Sequence, residues 1–114
     1  MATLQNPNDT VTVVPSVLVT VVRIATLNVD GVAQLSGVPG GSSWLRLSTD
    51  ESGVRLEVEA EGVRVDVYIV AKASHGLYDT SRRVQEEVAR TIKEYIGMKV
   101  LAVNVHIEDV VFEK

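Results

Sequence analysis

Two segments in the last third of the chain alternate aliphatic and polar residues, and a helical pattern lies between them. The segments are 62–71 (GVRVDVYIVA) and 100–111 (VLAVNVHIEDVV). A period of two is typical of a strand with one buried face. Between them, aliphatic residues recur at four-residue spacing, as one face of a helix requires: Val84, Val88, Ile92 and Ile96. The sequence therefore predicts a strand–helix–strand unit that contains no motif for chemistry.

A hairpin is predicted just before this unit. Residues 54–60 (VRLEVEA) place Val54, Leu56 and Val58 inward, and Glu61-Gly62 then turns the chain into the next strand. Short strands are expected over Thr10–Val14 and Val32–Leu35.

The segment from Pro15 to Asn28 is ambiguous. Pro15 suits the first turn of a helix, and five apolar residues share one helical face: Leu18, Val21, Val22, Ala25 and Val29. Its many β-branched residues favour a strand instead. The pattern alone leaves both interpretations open.

The later helix is expected to begin near Asp79 or Thr80, both good caps, and to end at Gly97. Its outer face carries charges of both signs at three- and four-residue spacing, which is typical of a solvated face: Arg82, Arg83, Glu86, Glu87, Arg90 and Glu94.

The predicted architecture is α+β, with two helices packed on one face of a mixed sheet of four or five strands. The order is strand, helix, short strand, hairpin, helix, strand, and the last strand has room to lie parallel to the one before the helix. We expect a flexible leader over residues 1–9 and one domain over residues 10–114. The opposite sheet face is polar: Arg55, Glu57, Glu59, Arg64, Asp66, Tyr68, Asn104, His106 and Glu108.

Composition excludes several classes of function. The chain has no cysteine, which excludes disulfides and thiolate zinc sites, and its net charge of −4 comes without the basic face of a nucleic-acid binder. Val11–Val29 is apolar but contains Arg23 and several polar residues, so we interpret it as a core element and not as a membrane span. The amino end lacks the pattern of a secretory signal, so we expect a cytoplasmic protein without direct membrane insertion.

Five blocks of the sequence, in this order, resemble the bacterial alkaline shock protein family over roughly residues 10–112. They are Gly31-Val32, residues 65–70 (VDVYIV), 84–88 (VQEEV), 97–100 (GMKV) and 103–112 (VNVHIEDVVF), the last being the most specific. The resemblance implies a small, self-associating cytoplasmic domain that is linked to cell-envelope stress and not known as an enzyme. It also favours a helix over Pro15–Asn28.

The resemblance leaves the partner open. The leading hypothesis is a self-associating interaction domain in envelope maintenance, in some members tethered by a small membrane-anchor protein. The alternative is a regulatory module that binds a soluble metabolic enzyme, such as one of lipid synthesis. The first helix carries fewer charges than is typical of the family, which suggests that it is buried on more than one side, with another protomer as a candidate for the second side.

One polar cluster is a candidate for chemistry. Asn104 and His106 share a strand face, with Tyr68 expected beside them, whereas Asp109 has the opposite parity unless a bulge intervenes. A His–Asp pair is a possible general base, and a small-molecule site there is the second alternative. The competing interpretation is a half-exposed His106, with Asp109 capping the strand end or bonding a backbone N–H. We predict no catalytic residue, metal or cofactor.

The remaining candidates are contact residues. Trp44 either closes the core or anchors an interface. The run Val110-Val111-Phe112 cannot point to one strand face, so the strand end is either buried on both sides or in contact with another chain. The predicted interface residues are Trp44, Tyr68, Asn104, His106, Val111 and Phe112.

Overall fold

A computed structural model describes residues 12–37 and 53–112 of the chain. The elements, in order, are helix α1 (Pro15–Leu27), strands β1 (Val32–Leu35), β2 (Val54–Glu59) and β3 (Gly62–Lys72), helix α2 (Leu77–Thr91) and strand β4 (Val100–Val111). A 3-10 turn (Ala73–His75) leads into α2, and a π turn (Ile92–Ile96) continues it.

Strand β3 is the centre of a four-stranded mixed sheet. Along one side it pairs antiparallel with β2 over residues 62–67 and with β1 over residues 69–71, and along the other side it pairs parallel with β4. The predicted α+β class and the parallel last strand are confirmed. The strand expected over Thr10–Val14 does not form over residues 12–14, and its first two residues lie outside the described part of the chain.

Both helices pack on one face of this sheet. The residues of β3 that face them are completely buried, and so are the central residues of both helices. This core consists of Val22, Val63, Val65, Val67, Ile69, Val84, Val88 and Ile92. The two-residue and four-residue periods of the sequence therefore predicted the core correctly.

Helix α1 forms in spite of its β-branched residues. Pro15 occupies its first turn, and Val19, Val22 and Ala25 bury one face in the core against the sheet. The buried Thr26 hydroxyl donates to the Val22 carbonyl at 2.8 Å, so its polar atom is satisfied inside the helix. Burial of one face outweighs intrinsic propensity here, and the helical interpretation is confirmed. No helix in residues 12–37 and 53–112 is both long and apolar enough to cross a membrane.

Two local predictions were wrong. Helix α2 begins at Leu77, after Gly76 at φ +77°, and not at Asp79 or Thr80. Thr80 is buried and packs against Gly31, so its side chain serves the core and caps nothing. Val58, expected inward, is 59% exposed because it lies next to the hairpin turn on an edge strand. The predicted end at Gly97 is confirmed by its left-handed backbone.

Candidate interaction surfaces

The face of the sheet opposite the helices carries one built polar cluster. In the parallel pairing of β3 with β4, Tyr68 lies beside His106 and Asp66 beside Asn104. The rings of Tyr68 and His106 stack with their centroids 4.4 Å apart and an interplanar angle of 11°. The predicted neighbourhood of Tyr68, Asn104 and His106 is therefore confirmed.

The carboxylate that orients the imidazole comes from Asp66. His106 Nε2 lies 2.9 Å from Asp66 Oδ1, with the two side chains 40% and 25% exposed. Because an ionised carboxylate only accepts hydrogen bonds, Nε2 carries the proton. From the sequence, Asp109 was the candidate partner of His106 and Asp66 was not predicted. The pairing register of β3 with β4 brings Asp66 next to His106. We call Asp66, Tyr68 and His106 the His106 cluster.

A β-bulge explains where Asp109 lies. The register shifts between Ile69, opposite Ile107, and Val70, opposite Asp109. The extra residue reverses the alternation, so Asp109 reaches the same face as His106. Its Oδ1 nevertheless accepts a hydrogen bond from the Val110 N–H at 2.8 Å. The interpretation of Asp109 as a backbone-bonding residue is confirmed, and so is the half-exposed state of His106.

The His106 cluster contains an imidazole and a carboxylate that orients it, as a general base requires. Catalysis by such a pair needs a nucleophile or a bound substrate group within hydrogen-bond reach. Within residues 12–37 and 53–112, no serine or threonine hydroxyl bonds to His106, and no three His, Asp or Glu side chains stand close enough to hold a metal ion. The stack and the hydrogen bond hold the three side chains in place on the open face of the sheet, with Tyr68 buried at 8% exposure and His106 half-exposed.

A second surface lies on the outer side of α1. Val17, Ile24 and Leu27 are 44%, 56% and 47% exposed, and together with Thr20 they follow the spacing three, four, three. The Thr20 hydroxyl donates to the Ser16 carbonyl at 3.0 Å, so its polar atom is engaged within the helix. We call Val17, Thr20, Ile24 and Leu27 the α1 stripe. The apolar face predicted from the sequence is the opposite one, although the residues of this second stripe recur at the same spacing.

The α1 stripe is not covered by the described part of the protomer. The expectation that α1 is buried on more than one side is therefore not met by the described residues of one copy, and burial by another protomer stays a prediction. Arg23 is the single charged residue of α1 and lies at the margin of the stripe.

The outer side of α2 is charged and internally paired. The Arg90 guanidinium donates to Glu87 at 2.6 Å and to Glu94 at 2.8 Å. The hydrogen bond to Glu87 is the main cause of a raised pKa of Arg90. This pattern confirms the interpretation as a solvated face of paired charges.

The free edge of β4 is partly blocked by α2. Among the described residues β4 pairs with β3 alone, and the Gln85 side-chain amide donates to the Val103 carbonyl at 3.1 Å. A side chain that occupies an edge carbonyl opposes the addition of another strand. The free edge of β4 is therefore protected against pairing with a further strand.

The carboxyl end of β4 is exposed. Val111 and Phe112 are 41% and 82% exposed, so the alternative of burial on both sides is wrong for these residues. Their contact with another chain stays a prediction. Trp44 lies outside the described residues.

Similar proteins extend these observations. The sequence matches the model of the alkaline shock protein 23 family, described by a cell envelope-related function, over residues 3–112. It is 31% identical over 101 residues to the uncharacterized protein Spy1535 of Streptococcus pyogenes serotype M6, covering 88% of this chain and 78% of that protein. It is 26% identical over 105 residues to the uncharacterized protein YqhY of Bacillus subtilis, covering 90% and 78%. No solved structure matches the chain significantly.

Proposed function

The chain belongs to the alkaline shock protein 23 family, whose function is cell envelope-related, and we propose that it acts there as a protein-interaction domain that associates with itself and catalyses no reaction. The resemblance drawn from the sequence is confirmed by the family match. The family is not known as enzymatic. In this proposal the protein works at the cytoplasmic side of the envelope, through contacts with other proteins.

The observation that supports self-association is the α1 stripe. Three large aliphatic side chains, each about half exposed, lie along a single helix face. Leaving such side chains in water forgoes about 25 cal/mol for every Å² of apolar surface. A protein partner removes this surface from water.

The chemistry of the stripe favours protein over other partners. A helix that lies on an anionic membrane surface normally carries several lysines and arginines on its polar face, whereas α1 has Arg23 alone. A nucleic-acid site needs a concentrated positive patch, and the stripe is apolar. Both contrasts leave an apolar protein surface as the best-fitting contact.

Sedimentation velocity over a wide concentration range tests self-association. We expect the parent to sediment faster as concentration rises, and Ile24→Lys to remain monomeric because a buried lysine needs a partner for its charge. The matched control is Val58→Lys, which changes an equally exposed aliphatic residue on β2 and keeps the parent's behaviour. A parent that stays monomeric at every concentration contradicts the proposal.

The second candidate function is regulation of a soluble enzyme, for example in lipid synthesis. The observation that favours it is the His106 cluster, because its side chains are held in place before any partner binds. Pre-organised polar groups lose little conformational entropy on binding.

Affinity capture from soluble and membrane fractions, read by mass spectrometry, separates the candidates. We compare the parent with His106→Ala and with the control Glu57→Ala on the same sheet face. A stoichiometric soluble enzyme that is lost only with His106→Ala supports regulation. Capture of a small membrane-anchor protein by the parent and equally by His106→Ala supports the envelope proposal and contradicts regulation of a soluble enzyme.

A further inference from the structure

The two ends of α1 lack the side chains that normally neutralise a helix dipole. Its first turn has no acidic residue and its last turn has no basic residue, and within residues 12–37 and 53–112 no side chain caps its N-terminus. Helix α2 has Asp79 in its first turn and Arg90 in its last. Partial charges at helix ends favour opposite charge nearby, so both ends of α1 are left to be compensated from outside the helix.

The spacing of the α1 stripe suits packing against a second helix. Positions 17, 20, 24 and 27 follow the alternating three- and four-residue spacing by which one helix packs along another. The helix has 13 residues, which makes it about 20 Å long. The stripe runs most of that length and carries no charge.

We propose that the occupant of the α1 stripe is the α1 stripe of a second copy, running antiparallel across a two-fold axis. This inference rests on the proposed self-association and adds the surface and its geometry. In the antiparallel pair Val17 lies opposite Leu27 and Thr20 opposite Ile24, so a shorter side chain faces a longer one at each level. Each N-terminus then lies beside the C-terminus of the other copy, which compensates both uncapped ends.

Other arrangements fit these observations less well. A parallel pair brings the two N-termini together and places like residues opposite one another, Ile24 on Ile24 and Thr20 on Thr20. A helix of an unrelated protein covers the stripe, but nothing then places its ends beside those of α1, so the uncapped ends stay uncompensated. In the antiparallel pair the two copies of Arg23 lie at the margin at nearly the same level, where solvent screens their like charges, so no charge is buried.

The size of the stripe predicts how tight this contact is. A stable interface covers roughly 800 Å² on each partner. Three half-exposed aliphatic residues supply less than that, even with Val13 and Val14, which are 40% and 48% exposed just before the helix. The pair is therefore a reversible dimer that responds to concentration.

Cysteine cross-linking tests the geometry, because the chain contains no cysteine of its own. Val17→Cys and Leu27→Cys are prepared separately, one of them with a mass tag, and oxidised alone and as an equal mixture. In the antiparallel pair, position 17 meets position 27 of the other copy. Two copies of position 17 are about 15 Å apart along the axis, beyond the reach of a disulfide.

We expect covalent dimer in the mixture, where up to half of the pairs are mixed, and little in either variant alone. Val58→Cys, also exposed, is the control for random collisions. Thermal melting of each variant confirms folding before oxidation.

The outcomes separate the two proposals. A parent that never dimerises in sedimentation contradicts both. A parent that dimerises while Val17→Cys cross-links to itself contradicts only the antiparallel arrangement. A parent that dimerises without any cross-link at positions 17 or 27 moves the interface away from α1 and overturns the inference.

Discussion

Replacing Gly31 with alanine tests how tightly the turn after α1 packs against α2. A Cβ atom at position 31 would lie 2.0 Å from Thr80 Oγ1, 2.9 Å from Thr80 Cγ2 and 3.0 Å from His75 Cβ. Thr80 is 1% exposed, so its side chain must shift within the core to make room for this atom. The Gly31-Val32 pair that contributed to the family resemblance thus has a steric reason: a hydrogen atom is all that fits.

The size of the effect follows from the overlap. Overpacking a filled core costs about 1–3 kcal/mol, and a contact an ångström too short on a buried side chain belongs at the upper end. We therefore expect Gly31→Ala to lower the free energy of unfolding by about 3 kcal/mol. For a domain of this length, that loss lowers Tm by roughly 10 °C.

Urea unfolding of the four members of a double-mutant cycle measures the contact. Thr80→Ala removes both clashing atoms, so the cost of Gly31→Ala should fall below about 1 kcal/mol in that background, a coupling of about 2 kcal/mol. Gly97→Ala is the control: its glycine has φ +83° and open space around it, so the cost of about 1 kcal/mol is one of backbone conformation and Thr80→Ala leaves it unchanged. A Gly31→Ala protein as stable as the parent, or a penalty that Thr80→Ala does not relieve, refutes the reasoning.

Three further changes have defined outcomes. Ile92→Ala, at a fully buried position, should lower the free energy of unfolding by about 2–5 kcal/mol in urea titrations, and a loss below about 1 kcal/mol would mean that the π turn relaxes to fill the cavity. Gln85→Ala leaves the Val103 carbonyl without its side-chain donor and should increase light scattering on heating relative to Arg83→Ala; equal scattering would show that the edge of β4 needs no protection by Gln85. Arg82 is unsuitable as the control because its guanidinium donates to the Gln85 side chain at 3.0 Å. Arg90→Ala should leave the urea midpoint almost unchanged, because its ion pairs are exposed, and any small difference should vanish in about 1 M salt.

The sequence predicts the sheet and its core well, because alternation leaves little freedom. Along β3, moving the register by one residue would turn Val65 and Val67 toward water, so the buried face is determined by the pattern itself. Helix α1 was harder to predict from the residues. Its composition favours a strand, and only its packing against the sheet, or the family resemblance, decides for a helix.

The start of α2 shows why local capping rules fail here. Asp79 and Thr80 are good caps in isolation, but Thr80 is needed against Gly31, and the helix is extended back to Leu77 by the 3-10 turn and Gly76. This requirement comes from a contact with a distant part of the chain, which a window around residue 79 does not contain.

The sequence predicted that Tyr68, Asn104 and His106 are neighbours, but it did not predict that Asp66 is the partner of His106. His106, Asn104 and Tyr68 follow from parity on two strands, but the partner of His106 depends on the register between β3 and β4. That register includes a bulge that brings Asp109 to the same face. Parallel strands joined by a helix are not tied by a turn whose length sets their register, so Asp66 became visible only in the folded chain.

The two proposed contact surfaces lie on opposite sides of the sheet. The α1 stripe is on the outside of the helical layer, whereas Tyr68 and His106 alternate with the core-facing residues of β3 and β4. A dimer formed through α1 therefore leaves both His106 clusters free, and each copy of the dimer presents one. Binding at the two surfaces should then be separable: Ile24→Lys should abolish self-association and retain a partner of the His106 cluster, and His106→Ala should do the reverse. Loss of the partner as well in Ile24→Lys would mean that the partner binds the dimer itself, across α1. Loss of self-association as well in His106→Ala would mean that the open face of the sheet takes part in the dimer.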